Sequence, residues 1–101
     1  MLALNLRNVN HELAYVRGKW YDIGVQLDLS DTKLHEIEAD YHFMHRRFSE
    51  VINFWLKGNT LIPVTWESLI DALESPPVNE RGLAKELREK LGLHKNTGEN
   101  Y

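Results

Sequence analysis

Apolar residues in this chain recur at helical spacing within six short stretches, and residues that break helices separate one stretch from the next. The fourth stretch shows the pattern most clearly, with apolar residues at i, i+4, i+7, i+8 and i+11: Met44, Phe48, Val51, Ile52 and Trp55. This spacing places all of them on one face of an α-helix. A sustained alternation of apolar and polar residues, which would indicate a strand, is not found in the sequence. The chain is therefore predicted to be all-helical.

Three helices are predicted before this stretch. The first spans Leu6–Val16, and the second spans Trp20–Leu27, where Gly24 allows a neighbouring helix to approach closely. The third begins at Ser30, whose side chain can cap the helix, and Asp31 lies favourably at the positive end of the helix dipole. The buried edge of the third helix is predicted to comprise Leu34, Ile37 and Tyr41.

Two more helices are predicted after it. Gly58 and Asn59 end the fourth helix, and Thr65 is predicted to cap the fifth. Two consecutive prolines stop the fifth helix, whose core face comprises Trp66, Leu69, Ile70 and Leu73. Asn79 is predicted to cap the sixth helix, and Gly92 to close it. The residues that stack along the sixth helix are Leu83, Leu87 and Leu91.

The length of the chain, 101 residues, is that of one domain. Helices this short are not stable alone in water, so they must pack against one another, and an antiparallel bundle is the predicted architecture. Trp20, Trp55 and Trp66 lie on three different apolar stripes and are predicted to supply much of the core. Residues 1–92 are predicted to form the domain, and residues 93–101 a flexible C-terminal tail.

Composition and charge exclude several classes of function. The net charge of −3 lacks the basic excess that is typical of nucleic-acid-binding proteins. The apolar runs are far shorter than the roughly 20 residues that a membrane-spanning helix needs, and no secretory signal is visible. The sequence contains no cysteine, which excludes disulfides, thiolate catalysis and cysteine-based zinc sites. These features lead us to expect a cytoplasmic protein without a cofactor.

The histidines and carboxylates offer little support for chemistry. His42 and His45 are spaced i, i+3, and His35, Glu38 and Asp40 are near in sequence, but no shared face brings three or four of these side chains to one metal ion. They are interpreted as surface histidines beside acidic neighbours. No serine–histidine–acid constellation and no glycine-rich phosphate loop is present. We therefore expect no metal site and no enzymatic activity.

Five segments, in this order and spacing, resemble the helices of death domains. They are Lys19–Gly24 with Leu27 and Leu29, Ser30–Glu38, Phe48–Leu56, Thr65–Leu73 and Leu83–Leu87. The resemblance covers most of the chain and implies a six-helix antiparallel, Greek-key death-fold bundle. It also implies a non-enzymatic adaptor or receptor-tail module of apoptotic or innate-immune signalling. Such a module binds other death-domain proteins, homotypically or heterotypically, and can self-associate.

The sequence departs from the death-domain pattern at two places. Leu27-Asp28-Leu29 stands where members often carry Leu-Gly-Leu, and His42 follows Tyr41 where many have a proline. Neither departure touches the predicted core. Both lie beside the surface of the third helix, and they therefore bear on the choice of partner.

Charged blocks on the predicted surface suggest how a partner is bound. Five carboxylates surround the third helix, opposed only by Lys33, and a basic block begins the fourth helix: Asp28, Asp31, Glu36, Glu38 and Asp40, then His42, His45, Arg46 and Arg47. Two such blocks can form complementary surfaces, although an ordinary solvated surface gives the same pattern. The predicted contact residues are Tyr21, Val25, Asp31, Lys33, Glu36, Glu38, Arg46, Arg47, Lys57 and Asn59. Tyr21 and Val25 lie beside the core stripe and could equally pack within the fold.

A small helical nucleic-acid-binding domain is the alternative. The sixth helix carries Arg81, Lys85, Arg88 and Lys90, but Glu80, Glu86 and Glu89 are interleaved with these basic residues. This function would need a recognition helix rich in arginine, lysine, asparagine or glutamine beside a basic face.

The sequence yields one direct test of the charged blocks. Reversing Arg46 and Arg47 to glutamate is expected to abolish association, because the acidic surface of the partner would meet like charge. Light scattering measures the association, and circular dichroism is expected to show an unchanged helical spectrum and melting temperature. Association at full strength in the variant would contradict the assignment.

Overall fold

The computed structural model of the chain describes residues 2–93, and this range is all-helical, with no strand. Six α-helices and one 3-10 helix follow in order: α1 (Leu6–Glu12), the 3-10 helix (Ala14–Lys19), α2 (Trp20–Gln26), α3 (Asp31–Asp40), α4 (Met44–Leu56), α5 (Trp66–Glu74) and α6 (Arg81–Leu91). The predicted all-α class is thus confirmed. Of the predicted flexible tail, all residues after 93 lie outside the described residues.

Side chains cap the helices where the sequence predicted caps for α3 and α5. The Ser30 hydroxyl accepts from the Lys33 amide at 3.1 Å, and the Thr65 hydroxyl accepts from the Ser68 amide at 3.1 Å. At the other end of the chain, Gly92 adopts a φ of +70° and closes α6, as predicted. These local signals determine the ends of three helices independently of the packing between helices.

The first helix is shorter than predicted. It ends at Glu12, and the chain continues as the 3-10 helix rather than as α-helix to Val16. The Arg17 guanidinium donates to the Asn10 carbonyl at 3.0 Å, and in a continued α-helix that carbonyl would accept from the Ala14 amide. The side-chain bond therefore replaces a backbone bond where the helix changes its winding.

The predicted cap of the sixth helix is wrong. Asn79 adopts a left-handed φ of +52° in the preceding turn, and Glu80 occupies the N-cap position without a capping side-chain bond. Lys19 holds this turn instead, since its Nζ donates to the Val78 carbonyl at 2.7 Å and pairs with the Glu80 carboxylate at 2.7 Å. A residue far away in the sequence thus holds the turn before α6, and the helix itself begins without a side-chain cap.

The core of the described residues is entirely apolar, and the three tryptophans are buried in it, as predicted. The indole of Trp55 donates to the Ile62 carbonyl at 3.1 Å, and that of Trp66 donates to the Leu2 carbonyl at 3.0 Å. Both indole N–H groups are therefore satisfied within the fold. Three residues assigned to apolar faces are less enclosed than predicted: Tyr41 and Leu83 are half-buried, and Met44 is 58% exposed.

Gly24 lies where α2 meets α3 and α4. A Cβ atom at this position would be 2.6 Å from Leu34 Cδ2 and 3.4 Å from Val51 Cγ1. The first distance is shorter than real Cβ contacts allow, and both neighbours are fully buried. The close helix approach that the sequence predicted at Gly24 is confirmed.

We expect Gly24→Ala to lower the free energy of unfolding by about 1–3 kcal/mol, because the methyl group overpacks a core that cannot shift freely. Gly82→Ala is the matched control, since a Cβ at Gly82 meets nothing within 4 Å and alanine favours a helix more than glycine does. Chemical denaturation of both variants measures the difference. Equal stability of Gly24→Ala and the wild-type protein would contradict the close approach.

Candidate protein-interaction surface

α3 and α4 form an antiparallel pair, and two contacts define their alignment. Near the start of α3, the Lys33 ammonium lies 4.9 Å from the centre of the Phe54 ring, near the end of α4. At the other end, Arg47 in the first turn of α4 donates to the Glu38 carbonyl in the last turn of α3. The pairing brings the predicted acidic residues of α3 and the predicted basic residues of α4 onto neighbouring elements.

The connection between α3 and α4 is a sharp turn, and the Arg47 side chain binds two backbone carbonyls at the end of α3 and in this turn. Its Nε donates to the Tyr41 carbonyl at 2.6 Å, and a terminal nitrogen donates to the Glu38 carbonyl at 3.0 Å. The guanidinium also lies 5.4 Å from the centre of the Trp20 ring. Arg47 was predicted to contact a partner, whereas in the structure its guanidinium is bonded within the chain. The double reversal of Arg46 and Arg47 would therefore disturb the fold, and Arg46 alone is the suitable probe.

The turn and the start of α4 form a surface that we call the corner, residues 41–46, in which Tyr41 is half-buried and the other five residues are exposed. Phe43 is 67% exposed and its ring stacks on that of His45, at 5.8 Å between centres and 22° between planes. The Arg46 guanidinium lies 5.2 Å from the centre of the Tyr41 ring. Met44 is exposed, although its sulfur reaches to within 3.3 Å of where a Cβ on Gly18 would lie. The corner thus combines apolar, aromatic and cationic side chains.

The N-terminus of α4 lacks the features that stabilise the N-termini of α3 and α5. Phe43 occupies the N-cap position and offers no side-chain acceptor, and the first turn contains no acidic residue. Instead Arg46 and Arg47 lie in the first turn, at the positive end of the helix dipole, where cations are unfavourable. Violations of local rules of this kind are expected at functional sites.

Sequence reasoning missed Phe43 and counted Met44 as core. A signal for Phe43 was present in the sequence, since helical spacing continued back from Phe48 by five positions gives an angle of about 140° from that core residue, whereas in the structure Phe43 precedes the helix as its N-cap. Met44 shares the stripe by spacing but lies at the first position of the helix, beyond the end of the packed region. Periodicity assigns a residue to a face and does not show where along the helix the neighbours end.

The predicted acidic residues of α3 are exposed. Asp31, Glu36 and Glu38 all lie at the surface, and Lys33 approaches Glu36 at 3.7 Å. An exposed pair one turn apart at this distance contributes little to stability. The acidic surface is therefore open to solvent beside the corner.

The two predicted residues of α2 have different environments. Tyr21 is half-buried and its ring contacts those of Trp20, at 5.4 Å, and His35, at 6.2 Å. It therefore packs between α2 and α3, which is one of the two alternatives that the sequence left open. Val25 is exposed.

Lys57 and Asn59 lie at the opposite end of α4 from the corner. Both are exposed, and the Asn59 side-chain amide donates to the Phe54 carbonyl at 3.2 Å, which helps to end the helix. Eleven residues of helical rise separate Lys57 from Arg46, about 16 Å along the axis. Lys57 and Asn59 thus lie away from the corner, at the end of α4 that is next to the start of α3.

A second surface lies where α2, α5 and the connection between α4 and α5 meet. It is an open groove, which we call the α5 groove, with a volume of about 300 Å³ and the lining residues Gln26, Ile62, Pro63, Ser68, Asp71 and Ala72. Leu61 and Val64 flank the lining residues of the connection, and both are exposed, Leu61 by 89%. Asp71 remains 68% exposed although Arg88 binds its carboxylate at 2.8 Å. Sequence reasoning did not identify this groove.

Neither a metal site nor a membrane-spanning helix is found in the part of the chain that the structure describes. Within residues 2–93, no three histidine, aspartate or glutamate side chains are grouped so that they could hold a metal ion. No helix in the same range combines the length and the apolar character needed to cross a membrane.

Comparison with known proteins gives no match: no protein-family model, no curated protein sequence and no solved structure matches this chain. The proposed function of the chain therefore rests on the surfaces described above.

The role of Arg47 can be separated from that of its neighbour. We expect Arg47→Lys to lower the free energy of unfolding by about 1–3 kcal/mol, since a lysine cannot donate to two carbonyls in the geometry of a guanidinium. Arg46→Lys is the matched control and should change this free energy by less than about 0.5 kcal/mol. Thermal and chemical denaturation measure both, and a wild-type stability for Arg47→Lys would show that the two carbonyl bonds contribute nothing.

Proposed function

We propose that the chain is a non-enzymatic protein–protein interaction module, without a cofactor, that binds other proteins through the corner and the adjoining acidic surface of α3. The observation that carries this proposal is the exposure of Phe43 and Met44 beside Arg46 on a turn that Arg47 holds in place. Aromatic residues, methionine and arginine are the types enriched at the centres of protein interfaces. A rigid turn also reduces the entropy lost when a partner binds.

A death domain of the six-helix Greek-key type is the more specific form of the proposal. The order and spacing of the five resembling segments support it, as does the number of helices. The backbone of Asp28 also supports the death-domain form of the proposal. Its φ of +70° is a conformation that favours glycine, and death domains often carry a glycine at this position. In this form the partners are other death-domain proteins, and the module serves as an adaptor in apoptotic or innate-immune signalling. A cytoplasmic location belongs to the proposal and rests on the cysteine-free sequence.

The nucleic-acid-binding alternative receives less support from the contacts of α6. Arg88 binds the carboxylates of Asp71 and Glu74, and Lys90 binds Glu12 at 2.7 Å. Two of the four basic residues of the helix are thus engaged within the chain. Arg81 and Lys85 remain exposed, which is a narrow basic surface for contact with phosphates.

One pair of variants distinguishes the two functions. We expect Arg46→Glu to weaken self-association at least tenfold, measured by light scattering across concentration and salt, because it reverses the charge of the corner. Lys85→Glu is the matched control, since it makes the same charge change at an exposed position of α6, and it should leave association unchanged.

Fluorescence anisotropy with random duplex DNA at low salt completes the comparison. Micromolar, salt-sensitive DNA binding that Lys85→Glu abolishes and Arg46→Glu retains would favour the nucleic-acid-binding function. Equal association of Arg46→Glu and wild-type protein would contradict the role of the corner. A monomer at every concentration would indicate a heterotypic partner, which is then sought by affinity capture with Arg46→Glu as the control bait.

A further inference from the structure

We propose that the α5 groove of one copy of the chain receives the corner of a second copy, so that the chain self-associates head to tail. This inference rests on the proposed function, because it takes the corner to be a binding surface and names the surface to which the corner binds. It goes further in naming the receiving surface, which lies on other elements than α3 and α4.

The apolar residues of the two surfaces fit one another in kind. The groove has Ile62, Pro63 and Ala72 among its lining residues, and its volume of about 300 Å³ accommodates a large side chain. Phe43 is the aromatic side chain that the corner exposes, and burial of an aromatic ring is a large contribution to the energy of an interface. Leu61 and Val64 extend the apolar surface beyond the groove. The exposed Met44 beside the Phe43 ring would therefore also have apolar side chains to contact.

The charges of the two surfaces are opposite. The corner, residues 41–46, contains two histidines, one arginine and no acidic residue. α5 contains three carboxylates and no basic residue: Glu67, Asp71 and Glu74. Arg88 binds two of these, yet the Asp71 side chain remains largely exposed at the groove, and Glu67 is exposed one turn before it. One arginine faces three carboxylates, so an approaching corner would place Arg46 close to Asp71, whose charge Arg88 offsets in part, and to Glu67.

The surfaces share no residue, and this makes the contact heterologous. The corner belongs to the connection between α3 and α4, whereas the groove is formed by α2, α5 and the connection that precedes α5. A copy bound through its corner keeps its own groove free for another copy. Heterologous contacts of this kind allow complementation between two variants that are each defective at one surface.

Two substitutions separate the surfaces without disturbing the core. Phe43→Asp removes the aromatic ring and adds a negative charge to the corner, while aspartate is a favoured residue at the N-cap position that Phe43 occupies. Leu61→Arg replaces an apolar side chain beside the groove, at a position that is already 89% exposed, with a positive charge that meets the positive charge of the corner. Tyr15→Asp and Tyr15→Arg are the matched controls, because they make the same kinds of change at a fully exposed side chain of the 3-10 helix.

Sedimentation equilibrium on each variant and on the mixture of two tests the inference. We expect Phe43→Asp and Leu61→Arg each to raise the self-dissociation constant at least tenfold, and Tyr15→Asp and Tyr15→Arg to leave it unchanged. An equimolar mixture of Phe43→Asp and Leu61→Arg should form a one-to-one complex with wild-type affinity, since the intact groove of the first meets the intact corner of the second. Circular dichroism of each variant confirms that the helices are retained.

Three results would overturn the inference. A mixture that associates no better than the separate variants would show that the two surfaces do not meet. Wild-type association of Leu61→Arg, with loss of association in Phe43→Asp, would leave the corner as a binding surface and exclude the groove as the surface that receives it. A wild-type chain that stays monomeric would exclude a second copy as the partner, whereas wild-type association of both Phe43→Asp and Arg46→Glu would contradict the proposed function itself.

Discussion

The close approach of α2 to α3 and α4 at Gly24 is the contact on which the position of the candidate surface depends. With no side chain at Gly24, Leu34 and Val51 pack directly against the backbone of α2. This seats the first turn of α2 so that the buried Trp20 ring lies next to the Arg47 guanidinium. Arg47 in turn holds the carbonyls at the end of α3. A chain of contacts therefore runs from the core to the turn that carries Phe43 and Arg46.

The polar chemistry of the described residues lies outside the core, and the corner is where it conflicts most with local stability. α3 and α5 begin with a hydroxyl cap and an acidic first turn, whereas α4 begins with an aromatic residue and carries the exposed Arg46 in its first turn. A cation at this end disfavours the helix by a few tenths of a kcal/mol to about 1 kcal/mol. An acidic partner surface would remove this cost on binding, so the unfavourable feature of the free chain becomes a favourable feature of a complex.

The sequence predicted what depends on local spacing and failed where distant residues decide. The stripes of α4 and α5, the caps at Ser30 and Thr65 and the close approach at Gly24 follow from residue types a few positions apart, and they were predicted. The end of α1 and the start of α6 depend on the side chains of Arg17 and Lys19, which bind carbonyls 7 and 59 positions away. The inward turn of Arg47 and the α5 groove likewise require knowledge of which helices are neighbours. The prediction therefore counted Arg47 among the exposed charged residues, whereas in the structure its guanidinium binds carbonyls of the chain.

The net charge and the local charges act in opposite directions when two copies meet. Each copy carries −3, so the copies repel weakly at long range, and only an approach that brings basic residues of one toward α5 of the other is attractive at short range. Charge then selects the orientation of the encounter and its rate, whereas burial of an apolar ring determines how long the complex lasts. Salt therefore acts mainly on the rate of association, and removal of the ring acts mainly on the rate of dissociation. A surface that combines Phe43 with Arg46 shows both effects, whereas a purely charged surface shows only the effect of salt.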